Sequence, residues 1–350
     1  MIRTPVVLPS IDLAELESGH SRHRGNALRR LRRVAHEIGF FYVENHDVPQ
    51  SLGDQVLAVS RAFFALSDEA KRRIEMANSP HFRGYTRTGG ELTRGLPDQR
   101  EQLDVASERQ PLPRDPGAPA WTRLQGPNQW PAEIPVLRPI VERWQHELTR
   151  ATTRLLRAIA AALGQPDDIF DEAFSAAPIQ HVKLIRYPGA GAGATLQGVG
   201  AHKDNGILTF VLQDDQPGLQ VELDDNWLDV PPRRGSFVVN VGEALEMLTD
   251  GYLRATTHRV VSPENGSDRI SVAFFLGPRL DARLPRLTLP PELAAGVRGV
   301  ANDPLNPLFR DVGVNMLKGR LRSHPDVAQR FYADVLASQP ELDAAEAGYG

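Results

Sequence analysis

The feature that most constrains the fold of this chain is a series of short runs, rich in β-branched and aromatic residues, in its second half. The runs span residues 181–187, 207–213, 219–223, 236–241, 256–262 and 270–276. Turn-forming pairs separate several of them, including Pro217-Gly218, Asp224-Asp225 and Pro231-Pro232. Many short strands at close spacing are typical of a β-sandwich, a barrel or a jelly roll.

The first half of the chain is predicted to be mainly helical. Apolar residues recur at three- and four-residue steps over residues 23–38, 51–66 and 136–163, and an amphipathic pattern returns over 325–336. A short apolar strand is predicted at 40–43, and the Pro-, Gly- and Arg-rich residues 78–130 are predicted to form loops with short strands. The sequence therefore predicts an α+β fold whose jelly-roll core begins near residue 180 and is flanked by helices.

The predicted elements also suggest a domain organisation. Residues 1–130 are predicted to form an N-terminal helical and loop region, and residues 131–350 the jelly-roll core with a C-terminal helix. The 350 residues exceed the ~250–300 at which a single core usually stops growing. Because the flanking helices are expected to cover the core, we nevertheless predict one cooperative unit.

Composition restricts the classes of function. The 41% hydrophobic and 24% charged residues are ordinary for a globular protein, and the absence of cysteine excludes thiol nucleophiles and Cys-based metal sites. A net charge of −4 predicts no nucleic-acid partner. No stretch approaches the ~18 apolar residues of a membrane span, and the first apolar run is too short for a signal peptide. We therefore predict a cytoplasmic protein without a membrane partner.

One histidine and one carboxylate are spaced for metal binding. His202 and Asp204 are two residues apart, and residues at that spacing in a strand point to the same face. His258 lies in a later predicted strand. Two histidines and one carboxylate on adjacent strands make a facial triad, which leaves three positions of an octahedral Fe(II) open for O2 and a chelating substrate. Taken singly, each histidine is better explained as an ordinary core or surface residue, so the prediction depends on the combination.

A second polar pair begins an otherwise apolar strand. Arg269 and Ser271 are again two residues apart, at the start of the run Ile-Ser-Val-Ala-Phe-Phe-Leu. An inward-facing arginine there needs an anionic partner, because an unpaired buried guanidinium is very costly. Arginine binds carboxylates in a bidentate manner, and a serine adds a further donor. The anion is either a carboxylate of the protein or a dicarboxylic cosubstrate beside the metal.

Three motifs occur in one order along the chain: His202-x-Asp204, His258-Arg259-Val260 and Arg269-x-Ser271. This pattern resembles the isopenicillin N synthase-like family of Fe(II)/2-oxoglutarate-dependent oxygenases. Supporting stretches begin near the N-terminus, so the resemblance covers most of the chain. They are residues 37–43 with Asn45-His46, Arg83-Gly84-Tyr85, Arg186-Tyr187-Pro188, 217–221 and 240–243.

The resemblance implies a fold, a site and a reaction. The fold is a double-stranded β-helix, another name for the jelly roll, in which the two histidines and the aspartate bind Fe(II). Arg269, Ser271 and Tyr187 would hold the far carboxylate of the cosubstrate 2-oxoglutarate. The implied enzyme is a dioxygenase that uses O2 to hydroxylate, desaturate or cyclise a small molecule, with release of succinate and CO2.

Three further residues are candidates for the substrate pocket. By strand alternation Phe275 shares a face with Arg269 and Ser271, which favours a place at the cavity, with plain core packing as the alternative. Arg83 and Tyr85 belong to the loop-rich stretch that borders the pocket in the family that this chain resembles. Arg83 either meets an acidic substrate or is an ordinary surface residue.

Other functions are compatible with the same residues. One is an iron oxidase of the isopenicillin N synthase type, which uses O2 without 2-oxoglutarate. Another is a non-catalytic jelly-roll sensor of a small acid, although such a sensor needs no open metal positions. A hydrolytic zinc site with the same three ligands is a third.

Overall fold

The computed structural model describes residues 8–113, 115, 117–189, 197–263, 266–300 and 307–338. The strands, in chain order, are β1 (Ser10–Asp12), β2 (Phe40–Glu44), β3 (Gly84–Thr86), β4 (Leu92–Thr93), β5 (Leu96–Pro97), β6 (Glu101–Val105), β7 (Ile179–Tyr187), β8 (Gln197–His202), β9 (Leu208–Gln213), β10 (Leu219–Leu223), β11 (Asn226–Asp229), β12 (Phe237–Val241), β13 (His258–Val261) and β14 (Arg269–Gly277). The helices are α1 (Leu13–Leu16), α2 (Ser21–Glu37), α3 (Gln50–Phe64), α4 (Asp68–Arg73), α5 (Leu137–Ala162), α6 (Asp171–Phe174), α7 (Glu243–Leu248), α8 (Pro291–Ala294), α9 (Val312–Ser323), α10 (Pro325–Phe331) and α11 (Ala333–Ser338).

Two sheets pack against each other and form the jelly roll. The larger sheet has eight strands in the order β1-β2-β12-β9-β14-β7-β6-β3, and the smaller has four in the order β11-β10-β13-β8. An apolar cluster between the sheets joins Tyr42, Ile185 and Val238 of the larger sheet to Val221 and Val260 of the smaller one. The predicted α+β architecture is therefore present, and its strands follow the turn signals of the sequence closely.

Strand β14 shows how alternation places the core and the cavity on opposite faces of the larger sheet. Ile270, Val272 and Phe274 belong to the main apolar cluster, which they share with Leu52 of α3 and Trp144 of α5. The residues between them point to the smaller sheet. Because the period of a strand is two, one face is buried against amphipathic helices while the other lines the space between the sheets.

Some predicted elements differ from the structure. The predicted helix at 325–336 is two helices, α10 and α11, separated at Tyr332, which leaves the helical conformation (φ −130°, ψ 22°). The buried hydroxyl of Tyr332 donates to the carbonyl of Pro80 (2.7 Å). Strands β1, β8 and β11 were not predicted, because each is short and has a weak apolar pattern. Among the described residues, no helix combines the length and the apolar character that crossing a bilayer requires.

The two predicted regions share one sheet. Strand β2 pairs with β12 and strand β6 pairs with β7, so strands from residues 1–130 lie beside strands of the later region. This pairing is compatible with the predicted cooperative unit. That the two regions unfold together stays a prediction.

A buried ion network joins the end of the larger sheet to helix α9. The carboxylate of Asp104 on β6 is fully buried and bonds His181 (2.7 Å) and Arg320 (3.1 Å), with Lys183 at 3.8 Å. Burial alone would raise the pKa of Asp104, but Lys183, His181 and Arg320 hold it well below its usual range. The network therefore ties the C-terminal helices to the sheet that carries the cavity.

Replacement of Asp104 by asparagine should lower the free energy of unfolding by about 3–5 kcal/mol, because it leaves buried cations without their counter-charge. Chemical denaturation at pH 7 measures the loss. Because the folded-state pKa is depressed, the stabilisation is present above the unfolded pKa of about 4 and is lost as the pH falls below it. Asp167→Asn, in the exposed pair with Arg24 (2.9 Å), is the control and should cost less than about 1 kcal/mol. Equal effects of the two variants would contradict the prediction.

Candidate metal centre

The three predicted metal ligands converge at the open end of the smaller sheet. His202 ends β8 and His258 begins β13, and the two residues are directly paired in the antiparallel register. Asp204 lies two residues beyond the strand, not within it as predicted, because the chain bends at residues 205–207. Candidate ligand atoms of the three side chains nevertheless all lie within 4.8 Å of one another. The Asp204 carboxylate is 3.6 Å from His202 Nε2 and 3.8 Å from His258 Nε2.

Hydrogen bonds orient each of these side chains. The Nδ1 atom of His202 bonds the carbonyl of Gly200 (2.8 Å), and that of His258 bonds the carbonyl of Thr256 (3.2 Å). Since a carbonyl only accepts, Nδ1 carries the proton in both rings, and Nε2 keeps its lone pair for a metal. The second oxygen of Asp204 accepts hydrogen bonds from the side chains of Thr209 and Asn240.

The electrostatics of the centre favour metal binding. Burial and the neighbouring His202 lower the pKa of His258 to about 4, so its ring is neutral at pH 7. Burial would raise the pKa of Asp204, but His258, His202 and the hydrogen bond from Thr209 hold it well below its usual range. Two imidazoles and one carboxylate are the donor set of the facial triad, so these residues fit an Fe(II) ion with open positions.

Arg269 is a buried cation without a protein carboxylate. It is 1% exposed, donates from Nη2 to Gln213 (2.8 Å) and lies with its guanidinium 5.0 Å from the centre of the Tyr187 ring. Its Nε and Nη1 atoms are buried and have no hydrogen-bond partner among the described residues. Within the described part of the chain, the alternative of a structural ion pair is therefore wrong. A guanidinium in this state fits a carboxylate supplied by a ligand.

A cavity of about 870 Å³ between the sheets connects these groups. It is lined by residues of both sheets and of helix α9, and its size suits a small molecule together with a cosubstrate. Phe275 lines it and stacks on His181, with ring centres 5.3 Å apart. The predicted residues that it brings together are His202, Asp204, His258, Arg269, Ser271, Tyr187 and Phe275.

Arg83 and Tyr85 do not lie at this cavity, contrary to the prediction. Arg83 is buried, so it is not a surface residue either, and it donates to the carbonyls of His81 (2.5 Å) and Leu124 (3.0 Å). It lines a separate cavity of about 290 Å³. The Tyr85 hydroxyl donates to Glu101 (2.6 Å) inside the core. Both side chains stabilise the packing of the loop-rich stretch instead of facing the substrate chamber.

Several polar residues of the cavity were not predicted. Lys183 lies on the inner face of β7 and bonds Glu91 (2.7 Å), and Glu243 lines the cavity at the start of α7. Burial raises the pKa of the Glu243 carboxyl to about 7. Strand alternation from Tyr187 would have placed Lys183 and His181 on the cavity face. The stretch 240–243 supported the family resemblance but gave no direction for the side chain of Glu243.

Two known families match the chain, and curated relatives agree with them. Residues 8–133 match the family described as non-haem dioxygenase in morphine synthesis N-terminal, and residues 179–278 match the 2OG-Fe(II) oxygenase superfamily. The 2-oxoglutarate-dependent dioxygenase frbJ of Dothideomycetidae sp. (strain 11243) is 38% identical over 89% of each chain. Homoarginine-6-hydroxylase 2-ODD-C23 of Glycine max is 35% identical over 73% of this chain and 78% of its own.

A solved structure extends the comparison to bound cofactors. JOX2, crystallised in complex with 2OG, Fe and JA, superposes with a TM-score of 0.71 at 26% identity, over 93% of this chain and 90% of that chain. The chain belongs to the Fe(II)/2-oxoglutarate oxygenases of the isopenicillin N synthase-like superfamily. It is an oxidoreductase that uses Fe(II) and the cosubstrate 2-oxoglutarate to oxidise a C–H bond of a small molecule, with release of succinate and CO2. The predicted family, jelly-roll fold, activity and cofactors are thereby confirmed.

Proposed function

We propose that His202, Asp204 and His258 bind the Fe(II) of this dioxygenase. The observation that carries the proposal is their convergence, with both Nε2 atoms near one Asp204 oxygen and both Nδ1 atoms bonded to backbone carbonyls. When bound, the iron supplies the redox chemistry with O2 and 2-oxoglutarate. The protein contributes the orientation of the ligands, since Thr209 and Asn240 hold the carboxylate and the carbonyls fix both rings.

We further propose that Arg269, Ser271 and Tyr187 hold the far carboxylate of 2-oxoglutarate. Arg269 supplies the charge and has two unpartnered nitrogen atoms, and Ser271 follows it on the same face of β14. Tyr187 lies directly opposite Arg269 in the register of β7 with β14, and its ring packs against the guanidinium. Burial excludes water from this end of the cavity, which strengthens a charged hydrogen bond.

The prime substrate is proposed to occupy the part of the cavity beside Phe275. This residue continues the alternation of Arg269 and Ser271 along β14, so the same strand face would contact cosubstrate and substrate in turn. Relatives from Glycine max and Arabidopsis thaliana are named homoarginine-6-hydroxylases, at 33–35% identity. Amino acids with a long cationic side chain are therefore the first substrates to test. The cytoplasmic location and the lack of nucleic-acid and membrane partners stay predictions.

The reaction is tested by succinate release from the purified protein with Fe(II), 2-oxoglutarate and a panel of small molecules. A substrate is identified when it stimulates release and gains oxygen or loses hydrogen by mass spectrometry. The panel includes homoarginine, other basic and neutral amino acids and carboxylic acids. Substrate oxidation that proceeds equally without 2-oxoglutarate would contradict the proposed reaction.

Phe275→Ala should raise KM or change the preferred substrate, because it enlarges the substrate end of the cavity. Its cost in unfolding free energy should be smaller than the ~3–5 kcal/mol that deletion of a core phenylalanine causes. Phe274→Ala is the matched control, since that side chain is 0% exposed and faces the opposite, helical side of the sheet. A large stability loss in Phe275→Ala with unchanged kinetics would place Phe275 in ordinary packing.

A further inference from the structure

The charges that line the large cavity are mostly compensated within the protein. Four basic side chains of its wall are bonded to carboxylates, so they are not available for the charge of a ligand. The ion pairs are Lys183 with Glu91 (2.7 Å), Arg100 with Glu91 (2.8 Å), Lys203 with Glu246 (3.3 Å) and Arg320 with Asp104 (3.1 Å). Arg269 is the buried exception, and the proposed function assigns it to the cosubstrate.

One carboxylate in the lining is left over after this pairing. Glu91 bonds lysine and arginine, and Asp204 belongs to the metal centre. Glu243 makes no ion pair and no side-chain hydrogen bond with the described residues, and its Oε2 atom is buried without a partner. A partly buried carboxylate without a partner is costly, as is a guanidinium in the same state. Among the described residues of the lining, Arg269 is thus a buried base and Glu243 a partly buried acid, each without an ionic partner.

The backbone holds Glu243 next to the metal centre. Its amide donates to the carbonyl of Asp204 (2.7 Å), and the amide of Ala244 donates to the carbonyl of Gly206 (3.1 Å). A Cβ on Gly242 would lie 2.2 Å from the carbonyl oxygen of Gly206, so only glycine permits this close approach. The segment that carries Glu243 is therefore tied to the turn that carries Asp204, and a group bound by Glu243 lies close to the site of oxidation.

We propose that Glu243 binds a cationic group of the prime substrate, a guanidinium or an ammonium, close to the C–H bond that is oxidised. The inference rests on the proposed function and adds the substrate class and the residue that selects it. Arg269 takes the anionic cosubstrate and Glu243 takes the cationic substrate. Each ligand thus supplies an ionic partner to a group that has none among the described residues.

The test compares a cation with its neutral isostere. L-Homoarginine carries a cationic guanidinium where L-homocitrulline carries a neutral urea group. Both compounds are titrated by calorimetry into the anaerobic protein with Fe(II) and 2-oxoglutarate. The wild type should bind L-homoarginine at least about thirtyfold more tightly, and Glu243→Gln should remove most of that preference. L-Arginine with L-citrulline forms a second pair with a shorter side chain. The inference requires that the wild type binds the cation more tightly than its neutral isostere in at least one of the two pairs.

Glu222→Gln is the matched control for the loss of a carboxylate. Glu222 is partly buried on strand β10, lies outside the cavity lining and makes no ion pair with the described residues. This variant should retain the preference for the cation. Glu243→Asp keeps the charge and should retain a reduced preference, which maintains the test if Glu243→Gln fails to fold.

The outcomes separate this inference from the proposed function. If the wild type binds 2-oxoglutarate but binds neither cation more tightly than its isostere, the inference fails and the dioxygenase assignment stands. The inference also fails if Glu243→Gln keeps the full preference. If 2-oxoglutarate itself does not bind, the proposed function fails first. A preference that depends on Glu243 and is unchanged in Glu222→Gln supports the proposal.

Discussion

Replacement of His258 by alanine should abolish substrate-dependent succinate release. Loss of a residue that merely supports a metal ligand typically costs ~10–100-fold, and loss of a ligand itself should cost more. His258 is the third ligand in the proposed triad, and its Nε2 lies 3.8 Å from the Asp204 carboxylate. Without it, the site keeps one imidazole and one carboxylate, so the affinity for Fe(II) should fall as well. Metal analysis after dialysis measures that affinity, and coupled succinate assays measure turnover.

The fold of the His258→Ala variant should persist, because the ring lies at the cavity wall and not in the main apolar cluster. Circular dichroism and thermal unfolding check this. His146→Ala, on the exposed side of helix α5, is the matched control and should keep both iron and activity. A His258→Ala protein that still binds one Fe(II) and turns over at the wild-type rate would show that the triad is assigned incorrectly.

Replacement of Arg269 by glutamine should weaken the binding of 2-oxoglutarate about a hundredfold or more. The change removes the positive charge but keeps a polar group, and it leaves the far carboxylate buried without its counter-charge. Breaking one side of a buried ion pair typically costs about 3–5 kcal/mol, and each ~1.4 kcal/mol is a factor of ten in affinity. Fe(II) binding should remain, since Arg269 is not among the proposed ligands. Anaerobic calorimetry on the iron-loaded protein measures both quantities.

Arg259→Gln is the appropriate control for this loss of charge. Arg259 lies on the neighbouring strand β13, where its guanidinium packs 4.0 Å from the centre of the Trp227 ring, and it is not part of the cavity lining. Its replacement should leave the affinity for 2-oxoglutarate unchanged. If Arg269→Gln binds 2-oxoglutarate as tightly as the wild type does, another residue holds the far carboxylate. Turnover of the wild type without any 2-oxoglutarate would instead favour the oxidase chemistry of isopenicillin N synthase.

Local patterns in the sequence were sufficient to predict much of the site. The alternation of Arg269, Ser271 and Phe275 follows from the two-residue period of strand β14, whereas the spacing of His202 and Asp204 indicated the pair although Asp204 lies beyond the end of β8. Such a pattern places side chains on one face before any tertiary contact is known. The predicted triad side chains and the β14 residues accordingly meet at one cavity in the folded chain.

Patterns of this kind failed where the backbone is irregular. Arg83 and Tyr85 lie in a stretch rich in Pro, Gly and Arg, in which no period indicates the direction of a side chain. Their partners are the carbonyl of Leu124 and the carboxylate of Glu101, which are 41 and 16 residues away. In such a segment, the direction of a side chain depends on which distant groups form hydrogen bonds with its polar atoms. The resemblance of the motif to the family therefore could not predict where the side chains of Arg83 and Tyr85 point.

What the sequence determined by itself was the class of fold, the candidate metal ligands and the polar face of β14, because all of them follow from local periodicity and residue chemistry. The tertiary structure alone decided which charges are compensated. Lys183 is paired with Glu91, 92 residues away, whereas Arg269 and Glu243 have no protein counter-charge among the described residues. The physical reason is that compensation depends on distances between elements that are remote in the chain, and those distances exist only after the two sheets have packed.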